Sequence, residues 1–277
     1  METHKLKVLS FNILANVFAH LKAYPQGVNE DLLDLRSRRC RILDVIQDHK
    51  QTADIICLQE VGESEFRYYH DYLYLNFTGF IALNSDRYKL DNIVDRSVFE
   101  PHGNAVFVRR ELFDNISFLN VSLSDTGNSC AIVLCKHKYS NKRVRIASVH
   151  LDTDIKNKIR ELNYLMDVVD IEYDIIDIVC GDFNFNGFNM LDIFEKNLFV
   201  DSIDYSYILN NKLYGKYYSP QYGFIDHIMT RNCLSSVGSI GNGNDTDIIK
   251  KNTVENINET LNRYGSNHLP IISYVYF

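Results

Sequence analysis

Short apolar runs that end beside a polar side chain recur along the whole chain, and they restrict its possible folds more than any other feature. Many of these runs are rich in Val, Ile, Tyr and Phe and end at Gly, Asn or Asp, a pattern that predicts β-strands. The predicted strands are Lys5–Ile13, Ala53–Val61, Gly79–Asn84, Asn104–Arg110, Ile116–Leu123, Cys130–His137, Arg143–Leu151, Asp174–Asp182, Phe224–Thr230 and Leu269–Phe277.

Helical patterns separate some of these strands. Apolar residues recur on one face of Asp31–Lys50 and of Ile155–Ile171. In the first helix they are Leu32, Leu35, Ile42 and Ile46, and in the second they are Ile155, Ile159, Leu162, Met166 and Val169. Because consecutive strands alternate with strand–helix–strand units, a singly wound Rossmann domain fits poorly. We therefore expect an α/β fold of two packed mixed β-sheets flanked by helices, with Ser85–His102 and Gly241–Ser266 as long loops.

The size and charge of the chain narrow the possible functions. A large two-sheet fold can hold all 277 residues, so we expect a single domain over residues 1–277. The formal net charge of -7 argues against a broad basic surface for duplex nucleic acid. It does not exclude a nuclease, because a carboxylate-rich metal pocket contributes negative charge that a bound cation offsets.

The cysteines and the amino-terminal segment indicate a reducing compartment. The six cysteines are scattered without a Cys-x-x-Cys pair, which argues against a structural zinc or a disulfide framework. Cys57, Cys130 and Cys180 lie in strand-like runs and are predicted to be buried thiols. No signal-peptide pattern is present, and no apolar stretch reaches the ~20 residues of a membrane helix. We expect an intracellular protein, cytoplasmic or nuclear, that does not act at a membrane and is a monomer by default.

Side chains suited to a metal ion or a phosphate stand at the ends of the predicted strands. They are Asn12, Glu60, His150, Asp182, Asn184, Asp226 and His268. Carboxylates and amides supply the hard oxygen ligands that Mg²⁺ or Mn²⁺ prefers. Histidines can donate hydrogen bonds to phosphate oxygens, and a carboxylate can orient or deprotonate an attacking water. Each residue alone also fits an ordinary role as a cap, a turn or a core histidine, so the prediction rests on the ordered set.

These residues lie in motifs whose order resembles the endonuclease/exonuclease/phosphatase superfamily. Between Phe11 and Pro270 the motifs are F-N-I-L, L-Q-E-V, V-H-L, G-D-F-N, I-D-H-I and S-N-H-L-P. The resemblance implies a four-layer α/β sandwich with the site at one end of two packed sheets. It also implies hydrolysis of a phosphate ester with Mg²⁺, or Mn²⁺, as the cofactor.

The resemblance implies a catalytic role for five residues. Asp182 would activate or position the water, and Asn184 would hold the phosphate or that water. His150 would contact the phosphate. Asp226 would pair with His268, which would stabilise the developing charge.

The metal ligands implied by the resemblance are Glu60, Asn12 and Asn267, of which Glu60 would be the principal one. The last motif of the superfamily is usually Ser-Asp-His, whereas this chain has Asn267 at the central position. Asn keeps the shape of Asp and loses its charge, which should weaken metal binding or the orientation of the following histidine. Either this lineage tolerates the change, or it was introduced to inactivate the enzyme. A second departure is Ser148, where many members carry Asn.

The motifs also favour one branch of the superfamily. F-N-I-L-A-N, R-S-R-R-C-R-I-L-D-V-I and G-N-A-V-F-V-R-R-E-L-F are most similar to the deadenylase, nocturnin and 2′-phosphodiesterase group. V-H-L-D-T-D is nearer to the S-H-L-E of tyrosyl-DNA phosphodiesterases. We predict a phosphodiesterase or nuclease of nucleic acid, with RNA or single strands slightly preferred over DNA. The alternatives are a DNA-repair phosphodiesterase acting on 5′-tyrosyl DNA or abasic sites, a catalytically weakened nucleic-acid-binding member and, less favoured, an inositol phosphatase.

Aromatic and basic residues near the loops give a weaker indication of the substrate. The aromatic residues could stack on unpaired bases, at ~1–3 kcal/mol each, or occupy sheet surfaces instead. They are Tyr205, Tyr207, Tyr214, Tyr217, Tyr218 and Tyr222. The basic residues could contact phosphates or be solvated, and they are Arg87, Arg96, Arg109 and Arg110.

Overall fold

A computed structural model describes residues 3–85, 100–123, 125, 127–185, 187–203, 225–240 and 253–277 of the chain. In chain order its elements are β1 (Lys5–Asn12), α1 (Leu35–Lys50), β2 (Ile55–Gly62), α2 (Glu63–Leu73), β3 (Phe77–Leu83), β4 (His102–Arg109), β5 (Phe113–Ser122), β6 (Ser129–His137), β7 (Arg143–His150), α3 (Ile155–Val168), β8 (Ile175–Asp182), α4 (Gly187–Lys196), β9 (Val200–Asp201), β10 (Asp226–Arg231), β11 (Ser235–Ile240), α5 (Thr253–Tyr264) and β12 (Ile271–Tyr276). Short 3₁₀ turns lie at Asn16–Phe18, Leu21–Ala23 and Glu30–Leu33.

Each of the two six-stranded sheets is mixed, with one parallel pair near its centre. The strand orders are β11-β12-β1-β2-β4-β3 and β5-β6-β7-β8-β10-β9. The parallel pairs are β1 with β2, joined through α1, and β7 with β8, joined through α3. The sheets pack face to face with helices outside, which confirms the predicted four-layer α/β sandwich. Parallel strands of one sheet end on the same side of it, and Asn12 at the end of β1 contacts Asp182 at the end of β8, so both βαβ units deliver their last residues to one end of the sandwich.

Apolar side chains from both sheets form the main core. Ile56, Val106, Val133 and Ile178, from four different strands, are all fully buried in one cluster. The predicted burial of Cys57, Cys130 and Cys180 is confirmed, and all six cysteines are free. Within the described residues, no helix has the length and apolar character needed to cross a membrane.

The first predicted helix begins later than its apolar pattern suggested. The chain forms a 3₁₀ turn at Glu30–Leu33, and α1 begins at Leu35. The side chain of Asp34 accepts a hydrogen bond from the Ser37 N–H at 2.9 Å and thereby caps the helix. Leu35 is therefore at the exposed start of the helix, while Ile42 and Ile46 are buried as predicted.

The predicted loop Gly241–Ser266 is wrong for its second half, because Thr253–Tyr264 is the helix α5. Ile257, Leu261 and Tyr264 follow one another at helical spacing and are buried. Gly265, at a φ of +69°, ends the helix. The Gly-Asn-Gly-Asn-Asp sequence at 241–245 suggested a loop and drew attention away from this spacing. Residues 241–252 lie outside the described part of the chain, as do residues 86–99 of the other predicted loop.

The other predicted elements need smaller corrections. On α3 the buried face consists of Leu162, Leu165 and Met166, whereas Ile155 and Ile159 are exposed. That face points towards a second apolar cluster beneath α3 and α4. The helices α2 and α4 and the edge strand β11 were not predicted from the sequence, because their apolar residues are sparse or mixed with polar ones.

Candidate metal and phosphate site

The registers of the second sheet bring three of the predicted residues side by side. His150 and Asp182, the last residues of β7 and β8, are direct neighbours in the parallel pair. Asp226, the first residue of β10, lies opposite Asp182 in the antiparallel pair. Asp182 therefore stands between the other two side chains and forms the centre of the site.

Glu60 reaches the same place from the first sheet through a β-bulge. Between Leu58 and Val61, two residues of β2 lie opposite a single residue of β4. Glu60 has a φ of +57°, a left-handed conformation that costs a non-glycine residue about 1–3 kcal/mol. Bulges and strained backbone conformations are common beside active sites, so this conformation is consistent with a functional role for Glu60.

Asn12 joins the two carboxylates across the sheets. Its Nδ2 donates to Glu60 Oε1 at 2.8 Å and to Asp182 Oδ2 at 3.2 Å. Its Oδ1 accepts a hydrogen bond from the Leu14 N–H at 2.9 Å, which fixes the orientation of the amide. In this geometry Asn12 draws Glu60 and Asp182 together with its nitrogen, and its ligation of a metal through oxygen stays a prediction.

His150 and Asn184 form a second contact between the carboxylates. His150 Nδ1 lies 3.7 Å from Glu60 Oε1, and its Nε2 lies 3.7 Å from Asp182 Oδ2. Asn184 Nδ2 is 3.0 Å from His150 Nε2, and the Asn184 N–H donates to Asp182 Oδ1 at 2.8 Å. Asn184 has a φ of +51°, which Asn adopts more readily than most residues. The turn after β8 therefore requires this residue type for its backbone as well as for its amide.

His268 completes the set by pairing with Asp226. Its Nδ1 lies 2.8 Å from Asp226 Oδ2, and its Nε2 lies 3.7 Å from Asp182 Oδ2. Burial alone would lower the pKa of His268, but the Asp226 carboxylate, together with Asp182 and Glu60, raises it to about 9. His268 is therefore an imidazolium at neutral pH, with its Nε2–H on the side of Asp182.

The turn before β12 is fixed to β1 by a serine. Ser266 Oγ donates to the carbonyl of Asn12 at 2.6 Å and accepts the His268 N–H at 3.1 Å. Asn267 lies between them and lines the cavity. Its Oδ1 is buried and has no hydrogen-bond partner among the described residues. An unpartnered buried oxygen is costly in a native protein, so this atom is a candidate contact for a bound cation or water.

The ionisable groups form two candidate metal sites that share Asp182. One consists of Glu60, His150 and Asp182, and the other of Asp182, Asp226 and His268, with potential ligand atoms within 4.8 Å of one another in each. Burial opposes ionisation of Glu60, but His150 and the hydrogen bond from Asn12 outweigh it and lower its pKa. Glu60 is therefore a carboxylate at neutral pH.

The site opens into a cavity of about 530 Å³ that is lined by apolar and by polar residues. The segment that follows β1 contributes Leu14, Phe18, Ala23 and Tyr24. The polar lining residues outside the predicted site are Asp125, Asn128, Asp152, Thr153, Asn157 and Arg160. This volume falls within the range of small-molecule sites.

Lys158 is a contact that the sequence patterns did not identify. It is buried on α3 and donates from Nζ to the Asn184 carbonyl at 2.6 Å. The available signal was its position one turn before Leu162, where a charged residue interrupts the apolar face. Ser148, noted as a departure from the superfamily, is fully buried and accepts from Gln59 Nε2 at 2.9 Å between the sheets.

The suggested phosphate contacts receive little support where the structure describes them. Arg109 is at the far end of β4 from His102 and donates to the carbonyls of Ala53 and Lys50. Arg109 is buried, and it also pairs with Asp54 at 3.4 Å, so it is not the solvated charge that was the other interpretation. Arg110 donates to the carbonyl of Phe77 at 2.8 Å. The other suggested arginines and all the suggested tyrosines lie outside the described residues.

Comparisons with known proteins bear on the fold and the family. The model described as "Endonuclease/Exonuclease/phosphatase family" matches residues 9–268. ANGEL2, "a 2′,3′-cyclic phosphatase" in complex with adenosine-2′,3′-vanadate, is 17% identical with a TM-score of 0.69, over 99% of this chain and 96% of its own. The human Nocturnin catalytic domain with bound sulfate is 18% identical with a TM-score of 0.64, over 100% and 97%. A humanized D. rerio TDP2 is 14% identical with a TM-score of 0.61, over 98% of each chain. No curated protein sequence matches the chain significantly.

Proposed function

The chain belongs to the endonuclease/exonuclease/phosphatase family, and we propose that it is a divalent-metal-dependent phosphodiesterase of nucleic acid, with RNA or another single strand as the preferred substrate. Members of this family hydrolyse phosphate esters and depend on a divalent metal. The observation that carries the proposal is the convergence of Glu60, Asp182 and the Asp226–His268 pair at one end of the sandwich. The nucleic-acid substrate is inferred from the family branch and from Phe18 and Tyr24, the aromatic residues that line the cavity.

The donor set at this end fits Mg²⁺ or Mn²⁺. Glu60 and Asp182 present carboxylate oxygens, and Asn267 Oδ1, which has no hydrogen-bond partner in the described part of the chain, is a neutral oxygen at the same cavity. Oxygen ligands of this kind suit a hard cation. A metal bound there would polarise a phosphate oxygen and lower the pKa of a bound water.

The protein's own residues would then divide the work around the phosphate. Asp182, oriented by the Asn184 N–H, would align the attacking water and accept its proton. The imidazolium of His268 would donate its Nε2–H to an oxygen on which negative charge develops, and Asp226 would hold that ring in place. Asn184 and His150, whose side chains are in contact with each other, would hold the phosphate.

A substrate panel with a matched variant tests the proposal. Rates would be measured on single-stranded RNA, single- and double-stranded DNA, 5′-tyrosyl DNA, abasic DNA and a 2′,3′-cyclic nucleotide, with Mg²⁺ or with EDTA. We expect turnover with Mg²⁺, fastest on RNA, and none with EDTA.

The variant Glu60→Gln should lower the turnover rate by roughly 100-fold or more, because it removes a ligand charge without changing the side-chain shape. Its circular dichroism should match that of the wild type. Turnover that survives EDTA would contradict the metal, and fastest turnover on a DNA adduct would favour the repair alternative.

One observation favours a second candidate, a catalytically weakened protein that binds nucleic acid. Asn267 stands where the superfamily motif usually has Asp, and its buried Oδ1 has no partner among the described residues. A missing ligand charge would weaken metal binding more than substrate binding. Binding of RNA in the absence of any turnover, for the wild type and for Asn267→Asp, would make this candidate the better account.

A further inference from the structure

Arg38 is a buried cation whose contacts are with the loops of the candidate site. It lies in the first turns of α1 and is 2% exposed. Its Nε donates to the Gly265 carbonyl at 2.8 Å, and Nη1 donates to Asn16 Oδ1 at 3.1 Å. Its Nη2 donates to the carbonyl of Ile13 at 2.8 Å and also to that of Leu14. These acceptors are uncharged oxygens, which is an unusual environment for a guanidinium withdrawn from water.

The contact of Arg38 Nη2 with the Ile13 carbonyl acts on Asn12 through a peptide unit. The carbonyl of Ile13 and the N–H of Leu14 belong to the same planar trans peptide and point in opposite directions. Arg38 binds the carbonyl end, and the N–H end donates to Asn12 Oδ1 at 2.9 Å. A cation on one end of a peptide dipole strengthens the hydrogen bond at the other. Arg38 therefore fixes the amide that bridges the two carboxylates.

The next peptide unit, between Leu14 and Ala15, links Arg38 to the Glu60 carboxylate in the same way. Arg38 binds the carbonyl of Leu14, and the Ala15 N–H of the same unit donates to Glu60 Oε2 at 2.8 Å. Leu14 has a φ of +61°, which a leucine rarely adopts. The left-handed turn directs both carbonyls towards the guanidinium and both N–H groups towards the site.

The contact of Arg38 Nε with the Gly265 carbonyl orders the turn that carries His268. A Cβ on Gly265 would lie 2.5 Å from the backbone oxygen of Arg38, so this turn is pressed against α1. The next residue, Ser266, binds the Asn12 carbonyl and the His268 N–H. Arg38 thus holds the segments on either side of the site with a single side chain.

We propose that Arg38 is a positioning residue that sets the geometry of Glu60, Asn12 and the 265–268 turn for metal binding. It rests on the proposed function in one respect, which is that Glu60 is taken as the metal carboxylate. Lysine would keep the charge but could not present the planar fork that binds several carbonyls at once. We expect Arg38→Lys to weaken Mn²⁺ binding and to lower kcat by about 10–100-fold each, with KM changed less than threefold.

Arg231 provides a matched control. It is equally buried, at the opposite end of β10 from Asp226, and donates to the carbonyls of Val169 and Asn197 as well as to Asp177. Arg231→Lys should lower thermal stability comparably and leave Mn²⁺ affinity and kcat within about twofold. A loss of metal affinity in both variants alike would reduce Arg38 to a structural residue and overturn the proposal.

Hydrogen exchange measured by mass spectrometry provides a readout that needs neither metal nor substrate. We expect peptides covering residues 12–16 and 264–268 to exchange at least tenfold faster in Arg38→Lys, with those of β8 unchanged. Unchanged exchange in both peptides would overturn the proposal whatever the protein's activity. If exchange accelerates but the wild type binds no Mn²⁺, the proposed function fails and the positioning of the two segments stands.

Should Arg38→Lys not fold, Asn16→Ala removes one of the four acceptors and should give a smaller loss of Mn²⁺ affinity, about threefold. Wild-type affinity and exchange in that variant would overturn the proposal.

Discussion

Asn267 is the residue on which the two proposed functions, an active enzyme and a weakened binding protein, make different predictions. Its buried Oδ1 lies at the cavity without a partner among the described residues, so a carboxylate oxygen at that place would break no hydrogen bond made by that atom. We expect Asn267→Asp to tighten Mg²⁺ or Mn²⁺ binding and to raise the rate by about 10–100-fold, because it adds a charge next to the cation. Metal-titrated rates of the two forms measure this effect. A carboxylate that changes neither affinity nor rate would show that Asn267 only shapes the turn.

His268 leads to a prediction about pH. Its pKa is raised to about 9 in the folded protein against about 6.5 in an unfolded chain. The stabilisation from the His268–Asp226 pair is therefore fully present below about pH 6.5 and is lost as the pH rises through about 9. If the imidazolium assists catalysis, the rate falls over the same alkaline range.

Asp226→Asn tests this assignment. Without the carboxylate, burial is opposed less strongly, so the pKa of His268 should fall and the alkaline limb of the kcat profile should move to lower pH. The pH dependence of kcat and the NMR titration of the His268 ring both report the shift. An alkaline limb that stays in place in the variant would show that another group produces it.

At the scale of elements, the contact between β7 and β8 places His150 beside Asp182. Gly181 precedes Asp182 at a φ of +149°, and a Cβ there would lie 1.8 Å from the Val149 carbonyl. We expect Gly181→Ala to lower the free energy of unfolding by about 2–5 kcal/mol, from backbone strain and overpacking together. Urea denaturation measures the change.

Gly238→Ala is a suitable control for that substitution. Gly238 lies on the edge strand β11, where an added Cβ would meet the Ser202 Oγ at 2.8 Å, an atom that can rotate away, and the Ser202 carbonyl oxygen at 3.1 Å. Because these contacts are much looser than the 1.8 Å contact at Gly181, this variant should cost only about 1 kcal/mol. Similar losses in the two variants would contradict the account of Gly181.

The sequence predicted the elements that follow simple apolar periods and missed those that depend on tertiary contacts. Strand ends at Asn12 and Asp182 could be predicted because a buried run stops at a polar side chain. The bulge at Glu60 could not, since its left-handed conformation is imposed by the pairing of β2 with β4. The helix α5 was obscured by a neighbouring turn-rich sequence, although Ile257 and Leu261 carried the helical period.

The residues of the candidate site show the same difference between features that a sequence pattern carries and features that tertiary contacts set. Motif order predicted Asp182 and His268 as site residues, and the structure brings their side chains within 3.7 Å of each other. The residues that hold the site by their backbone contacts left no comparable signal. Lys158 and Arg38 are buried cations on helices, and from the sequence alone they cannot be distinguished from charges on a solvated face.

At the scale of the whole molecule, the two sheets contribute different parts of one site. Glu60 and Asn12 come from the first sheet, while His150, Asp182 and Asp226 come from the second. Asn12 bonds to a carboxylate of each sheet, so the geometry of the site depends on how the sheets are packed. Any ligand that binds both groups of carboxylates must therefore also hold the two sheets together.

That dependence predicts stabilisation of the fold by Mg²⁺. Glu60, Asp182 and Asp226 place buried acidic groups close together, and a bound cation would relieve their mutual repulsion. At a free Mg²⁺ concentration of about 100 times Kd, binding stabilises the folded state by about 2.7 kcal/mol, which for a chain of this size corresponds to a Tm increase of roughly 5 °C. Differential scanning calorimetry with Mg²⁺ and with EDTA measures this increase in Tm.

Glu60→Gln should lose most of the increase in Tm, and Arg231→Lys, which lies far from the site, should retain it. A wild-type Tm that Mg²⁺ leaves unchanged up to 10 mM, on the order of a thousandfold above a 10 μM Kd, would mean that the carboxylates do not form a metal site.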